Sequence, residues 1–128
     1  MKKELDDLLC QRYPEIFKDR KGDPFNTGMS WGFCCGEGWF DLLDGLCVDI
    51  AACVAAGEVS PVVATQVKSK AGFLRFHFMG EFGAEGYAPV RELISVAQQK
   101  SEHTCEECGQ LDVLWYSGAI CASCGEKR

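Results

Sequence analysis

The sequence lacks any long uninterrupted apolar run, although 47% of its 128 residues are hydrophobic. No stretch approaches the roughly 20 residues that a membrane-spanning helix needs. Acidic residues, Glu4, Asp6 and Asp7, occupy the place where a secretory signal has its apolar segment. The sequence therefore predicts a soluble cytoplasmic protein with no membrane span.

Internal repeats and low-complexity segments are also missing, and the 25% of charged residues is typical of globular proteins. At this length about two thirds of the extended chain's surface is buried on folding, which is enough for one domain. A fully disordered, collagen-like or coiled-coil chain is excluded. The formal net charge of −6 repels phosphate backbones at long range, so general nucleic-acid affinity is disfavoured except through a local patch.

The apolar pattern predicts an α+β fold in which helices surround a β-hairpin. Helical spacing marks a short helix over 2–11, a central helix within 36–57 that ends at its last glycine, and a further helix over 87–101. Runs rich in β-branched and aromatic residues at 62–68 and 73–79 predict the two antiparallel strands of the hairpin.

A glycine-rich segment, residues 30–39, precedes the central helix and contains Trp31 and Trp39. It lacks the lysine and hydroxyl pair of a phosphate-binding loop and does not follow a clear strand. We interpret it as a tight turn that lets both tryptophans close the central helix onto the core.

Cysteine is abundant, with nine residues, and the odd number leaves one unpaired in any set of disulfides. A reducing compartment also disfavours a disulfide framework. Two Cys-x-x-Cys-Gly motifs, separated by 12 residues, supply the strongest pattern in the chain. Two residues between thiols let one turn aim both sulfurs at a point, and the glycine lets backbone amides approach them.

The 12 residues between the motifs are enough for a short hairpin that brings the thiols together. Four thiolates close a tetrahedral shell and leave no position for water, so the predicted site is structural. The sequence predicts a zinc ribbon at residues 104–128, packed on a body of residues 1–103 in one compact unit, with one Zn²⁺ held by Cys105, Cys108, Cys121 and Cys124. An iron centre, two redox dithiols and a metal-free cluster are the alternatives.

The remaining cysteines and histidines offer weaker sites. His103 could replace one thiol, but an exposed cation at a helix end is favoured. Cys34 and Cys35 suggest a second metal site or a nucleophilic thiol assisted by His77, but adjacent side chains diverge and no third group orients the pair. Burial is the favoured interpretation of the cysteines outside the two motifs.

Residues 59–80 contain three cations and no acid, and the hairpin that they form is the best candidate surface for an anionic partner. Cations can contact phosphates while an aromatic ring stacks on a base, although an ordinary solvated sheet face explains the same pattern. Aromatic residues of the predicted ribbon could also anchor a partner or cover the cysteines. The candidate partner-binding residues are Lys68, Lys70, Phe73, Arg75, His77, Trp115 and Tyr116.

Several strings along nearly the whole chain act together as a distinctive set: Tyr13-Pro14-Glu15-Ile16-Phe17, Trp31-Gly32-Phe33, Cys35-Gly36-Glu37-Gly38-Trp39-Phe40, Leu46-Cys47, Val62-Val63-Ala64, Gln66-Val67-Lys68, Leu74-Arg75-Phe76 and Thr104-Cys105-Glu106. With these strings the chain resembles short, cysteine-rich proteins encoded by tailed phages and prophages. The resemblance implies action inside a bacterial cell, where small phage proteins bind host enzymes, defence complexes or transcription machinery. We therefore expect a non-enzymatic accessory protein that binds a host macromolecule, and a host protein is the favoured partner. The alternative is a nucleic-acid-binding or transcription-associated protein that uses the basic hairpin around residues 67–77.

Overall fold

The computed structural model describes residues 1–23, 25, 27–80, 87–111, 115–117 and 120–126, and for 115–117 the backbone alone. Within these ranges the fold is α+β, as predicted. The helices are α1 (Lys3–Arg12), α2 (Phe40–Ala55), α3 (Ala88–Ser101) and α4 (Ala122–Glu126). The strands are β1 (Phe33–Cys34), β2 (Val63–Lys70), β3 (Phe73–Met79), β4 (Trp115–Ser117) and β5 (Ile120–Cys121).

The main sheet has three strands in the order β1-β2-β3. Strands β2 and β3 form the predicted antiparallel hairpin, and β1 pairs with β2 in parallel through Phe33 opposite Val67. The sequence did not predict β1, because a strand of two residues is too short for an alternating pattern to mark it. The glycine-rich segment is thus partly a sheet edge.

The hairpin turn consists of Ala71 and Gly72, whose φ angles are 55° and 85°. Two successive left-handed residues are what a two-residue turn of type I′ requires, and that turn matches the twist of the flanking strands. Gly72 adopts this conformation without strain, whereas the Cβ of Ala71 makes it costly. The turn therefore carries one unfavourable residue.

The core lies between one face of the main sheet and helices α2 and α3. Helix α2 buries the predicted apolar stripe, with Leu43, Cys47 and Ile50 fully covered, and the sheet contributes Val67 and Leu74. A 3₁₀ turn at Glu37–Trp39 precedes α2, so the helix itself starts later than the predicted segment. It ends, as predicted, before Gly57, whose φ is 75°.

The interpretation of both tryptophans as core residues is wrong for one of them. Trp39 is fully buried at the start of α2, but Trp31 is 71% exposed. Gly32 follows Trp31 with a φ of 82° and reverses the chain, so that Phe33 enters the core in place of the tryptophan. The local sequence pattern does not reveal that the chain reverses at Gly32, and this reversal decides which aromatic side chain enters the core.

Candidate metal centre

The first Cys-x-x-Cys motif forms a tight turn directly after α3. The amide of Cys105 donates to the Gln110 carbonyl at 2.8 Å, and the amide of Gly109 donates to the Cys105 carbonyl at the same distance. Gly109 has a φ of 78°, which only glycine adopts readily. These contacts fold the segment back on itself and aim both thiols of the motif to one side, as the sequence predicts.

The second motif is built differently, on the end of a strand and a short helix. Cys121 closes β5, which pairs antiparallel with β4, and Cys124 lies one turn further on in α4. Residues three apart in a helix lie on the same face, so a helical turn replaces the glycine turn of the first motif. Gly125, the glycine that follows this motif, is a buried residue of α4.

The four sulfurs of Cys105, Cys108, Cys121 and Cys124 lie within 4.8 Å of one another. The Sγ atoms of Cys108 and Cys121 are 3.7 Å apart, and all four thiols are free. A disulfide needs about 2.05 Å, whereas sulfurs at about 2.3 Å from a central metal ion stand about 3.8 Å from each other. The cluster therefore has the dimensions of a tetrahedral metal site and could hold a metal ion.

The electrostatics of the cluster favour a bound cation. Burial raises the pKa of Cys105, but backbone N–H groups, led by that of Cys121 at 3.4 Å, outweigh it and lower the pKa to about 6. Burial, reinforced by the neighbouring thiols, raises the pKa of Cys124 to about 12. The protein alone thus stabilises negative charge on one sulfur and opposes it on another. A cation at the centre of the cluster would offset that opposition.

Glu106 ties the first motif to the body of the molecule. One carboxylate oxygen accepts the amide of Gly36 at 2.9 Å, and the other accepts the hydroxyl of Ser69 at 3.0 Å. Its carbonyl accepts the amide of Gly38 at 2.7 Å. One residue between two candidate ligands therefore contacts both the turn before α2 and strand β2.

The glycines of that turn are explained by the close approach of the cysteine motif. A Cβ at Gly36 would overlap the carbonyl of Glu106, and a Cβ at Gly38 would overlap that of Cys105. Next to them, Trp39 donates its indole N–H to the Thr104 carbonyl at 2.9 Å. Sequence reasoning missed this contact surface, because the glycines and the cysteines are far apart along the chain.

The five predicted partner-binding residues of the hairpin share one face of the main sheet. The register sets Lys68 opposite Arg75, Lys70 opposite Phe73, and Gln66 opposite His77. This face, opposite to the one that carries Val67 and Phe76, is named the basic face here. The side chains of the other two predicted residues, Trp115 and Tyr116, lie outside the described structure.

The cysteines outside the two motifs do not belong to the ligand cluster. Cys35 and Cys47 are buried, and burial raises the pKa of both thiols, that of Cys35 to about 12. Cys34, on β1, is exposed, contrary to the predicted burial. His77 lies on β3, and strand β2 separates β1 from β3. The register therefore sets the thiol and the imidazole on strands that are not neighbours.

His103 is exposed and is not one of the grouped residues that could hold a metal ion, which among the described residues are the four cysteines alone.

Comparisons of the chain with protein-family models, with curated proteins and with solved structures give no match. In the described part of the chain, no helix has both the length and the apolar character needed to cross a bilayer.

Proposed function

We propose that this protein is a non-enzymatic accessory protein of phage type, which acts in the bacterial cytoplasm by binding a host macromolecule. A single Zn²⁺ holds its C-terminal part in shape. The observation that carries the proposal is the group of four sulfurs within 4.8 Å of one another. A metal with four thiolate ligands has no vacant position for water or substrate, so such a site stabilises a fold and does not catalyse.

Zinc is the proposed ion because it accepts four thiolates in a tetrahedron and has no redox chemistry. Iron uses the same ligand set, which makes the metal's identity a matter for measurement. Native mass spectrometry of the protein purified without added metal should find one zinc per chain. Cys105→Ser should lose it, and Cys34→Ser, at an exposed thiol outside the cluster, should retain it. Stoichiometric iron, or zinc retained by the Cys105 variant, would contradict the proposal.

The surface between α2 and α3 supports a protein partner. Val48 and Val96 are 51% and 43% exposed along a groove that Asp41 and Asp49 also line. Exposed apolar side chains next to carboxylates are typical of a surface that binds a partner with apolar and basic groups. Trp31 adds an exposed aromatic side chain elsewhere on the molecule.

The binding role is tested by affinity capture from phage-infected bacterial lysate, with and without nuclease. The tagged protein should enrich one host macromolecule in near-stoichiometric amount relative to a double variant, Val48→Asp with Val96→Asp, that places charge in the groove. Its matched control is Glu92→Asp with Glu102→Asp, at exposed positions outside the groove lining. Equal recovery with the groove variant and the wild type would contradict a role for this surface.

A further inference from the structure

We propose that the basic face binds single-stranded nucleic acid, with Lys68, Lys70 and Arg75 on phosphates and Phe73 stacked on a base. This inference rests on the proposed function of macromolecule binding. It assigns a second class of partner, nucleic acid, to the basic face of the sheet. Two aspartates and one lysine, Asp41, Asp49 and Lys100, line the groove between α2 and α3, whereas residues 59–80 contain no acid at all.

The register arranges the face in three rows across the sheet. The central row is Cys34, Lys68 and Arg75, taken from the pairing of β1 with β2 and of β2 with β3. One neighbouring row holds Lys70 and Phe73. Adjacent strands are about 4.8 Å apart and residues two apart along a strand about 7 Å, so the three cations and the ring lie within one small patch.

The central row places two like charges directly opposite each other. Such a pair destabilises a sheet, because the Cβ atoms of opposite residues lie only about 5 Å apart. Some cations elsewhere are paired, since Arg12 contacts Asp44 at 2.9 Å and Arg20 contacts Asp6 at 3.0 Å, whereas exposed cations such as Lys18 have no ion pair within the described residues. Within the described residues, the side chains of Lys68, Lys70 and Arg75 form no ion pair or hydrogen bond. A bound oxyanion between opposite cations relieves the repulsion.

The Arg75 side chain also lacks a hydrogen-bond acceptor for one of its buried N–H groups. Its Nε is shut off from solvent and has no acceptor among the described residues. A buried donor that is left without an acceptor costs free energy, and natural proteins rarely keep one without a reason. Two oxygens of a phosphate accept parallel N–H bonds from one edge of a guanidinium group, so an Arg75 side chain that turns towards a bound phosphate completes its hydrogen bonds.

A single strand fits this face better than a duplex. Duplex DNA carries one charge per about 1.7 Å of axis, twice the density of one strand, so the net charge of −6 repels it more strongly. Stacking on Phe73 also requires a base that is free of its partner strand, and stacking tolerates every base sequence. We therefore expect binding without marked sequence preference.

The test is fluorescence anisotropy of the zinc-loaded full chain with a labelled oligothymidylate of about 15 nucleotides. If the three cations meet three phosphates, the plot of log K against log salt should have a slope of about −2. Lys68→Ala with Lys70→Ala and Arg75→Ala should weaken binding at least about tenfold and bring the slope towards zero. The control triple, Lys18→Ala with Lys21→Ala and Arg91→Ala, changes the net charge equally at exposed positions off the face and should bind nearly as the wild type does.

Phe73→Leu keeps an apolar side chain and should weaken binding by about fivefold or more, because stacking is lost. Equal weakening by both triple variants, or equal affinity for polyglutamate of matched charge, would overturn the inference, and so would undetectable binding at about 0.05 M salt. Zinc content and circular dichroism are measured on the same samples. Intact zinc and fold with no oligonucleotide binding would refute the basic face while leaving the proposed zinc site and the groove unaffected.

Discussion

The body of the molecule, residues 1–103, and its C-terminal tail, residues 104–128, are held together by different forces. The body has a continuous apolar core that includes Trp39, Leu43 and Ile50, all fully buried. The described tail buries three cysteines with Ile120 packed against them. Each large core side chain contributes about 1.5–3 kcal/mol by burial, whereas ordering each residue costs about 1–2 kcal/mol of backbone entropy. We therefore expect the tail to depend on a bound metal and on its contacts with the body in order to stay folded.

Removal of the metal should separate the two regions most clearly. A structural zinc site contributes about 10–16 kcal/mol of apparent binding free energy, and Cys121→Ser or a chelator should remove it. Hydrogen exchange should then show that amides at 104–126 lose protection, while those of α2 and of the hairpin keep it. Cys34→Ser is the control, since this exposed thiol lies outside the cluster. A tail that stays protected without metal would show that burial alone holds it.

Loss of the Glu106 carboxylate should weaken the joint between the regions while sparing the metal. Glu106→Gln exchanges charged acceptors for a neutral amide on the Gly36 amide and the Ser69 hydroxyl, and hydrogen bonds to charged groups contribute about 1.5–3 kcal/mol. Urea unfolding should report a loss of about that size, with zinc content unchanged. Glu102→Gln, at an exposed position nearby, should have little effect. Equal stability of the two variants would mean that the carboxylate does not join the regions.

Acid should affect the two regions in different pH ranges. In the body, the Tyr13 hydroxyl at 2.7 Å and then Arg12 lower the pKa of Asp44. A lowered carboxyl pKa adds stability above the unfolded value of about 3.9, and this is lost as pH falls through the folded value. Asp44→Asn should therefore destabilise by about 1 kcal/mol at pH 7 and by progressively less below about pH 4.

The tail should respond at higher pH than Asp44 does, because its thiolates bind protons in competition with the metal. Thermal unfolding of Asp44→Asn and of the wild type, measured from pH 7 down to about pH 2, tests the prediction for the body. Zinc release over the same range tests the prediction for the tail. Asp41→Asn, on the exposed side of the same helix, is the matched control. A constant difference between Asp44→Asn and wild type down to about pH 2 would contradict the assignment.

The smallest effect is expected in the hairpin turn of the body. Ala71 has a φ of 55°, so Ala71→Gly should remove the strain of its Cβ and stabilise the protein by up to about 1 kcal/mol. Ala55→Gly, in the last turn of α2, should do the opposite by about the same amount. Urea midpoints of the two variants check the sign, and a loss of stability in both would refute the strain argument.

The sequence could predict features that have a local or repeating pattern, and it could not predict features that depend on contacts between distant segments. The four clustered cysteines could be predicted because each pair is local and its two-residue spacing is a recognisable pattern. The helices and the hairpin were found because 3.6-residue and two-residue periods repeat over many positions. Strand β1 has two residues and repeats nothing, and the exposure of Trp31 depends on the reversal at Gly32.

The contacts that connect the regions had no local signal. Glu106 occupies an unremarkable position between two cysteines, and its partners Gly36 and Ser69 stand 70 and 37 residues away along the chain. The glycines at 36 and 38 were visible in the sequence, but their reason, the approach of a distant backbone, belongs to tertiary structure. Only the three-dimensional arrangement turns these residues into one surface.

X-ray absorption at the zinc edge, on the intact protein purified without added metal, tests the central claim most directly. We predict one zinc per chain with four sulfur neighbours at about 2.3 Å and no oxygen or nitrogen in the coordination shell. A shell of three sulfurs and one oxygen would leave a position that water or a substrate can occupy. That result would contradict a purely structural site.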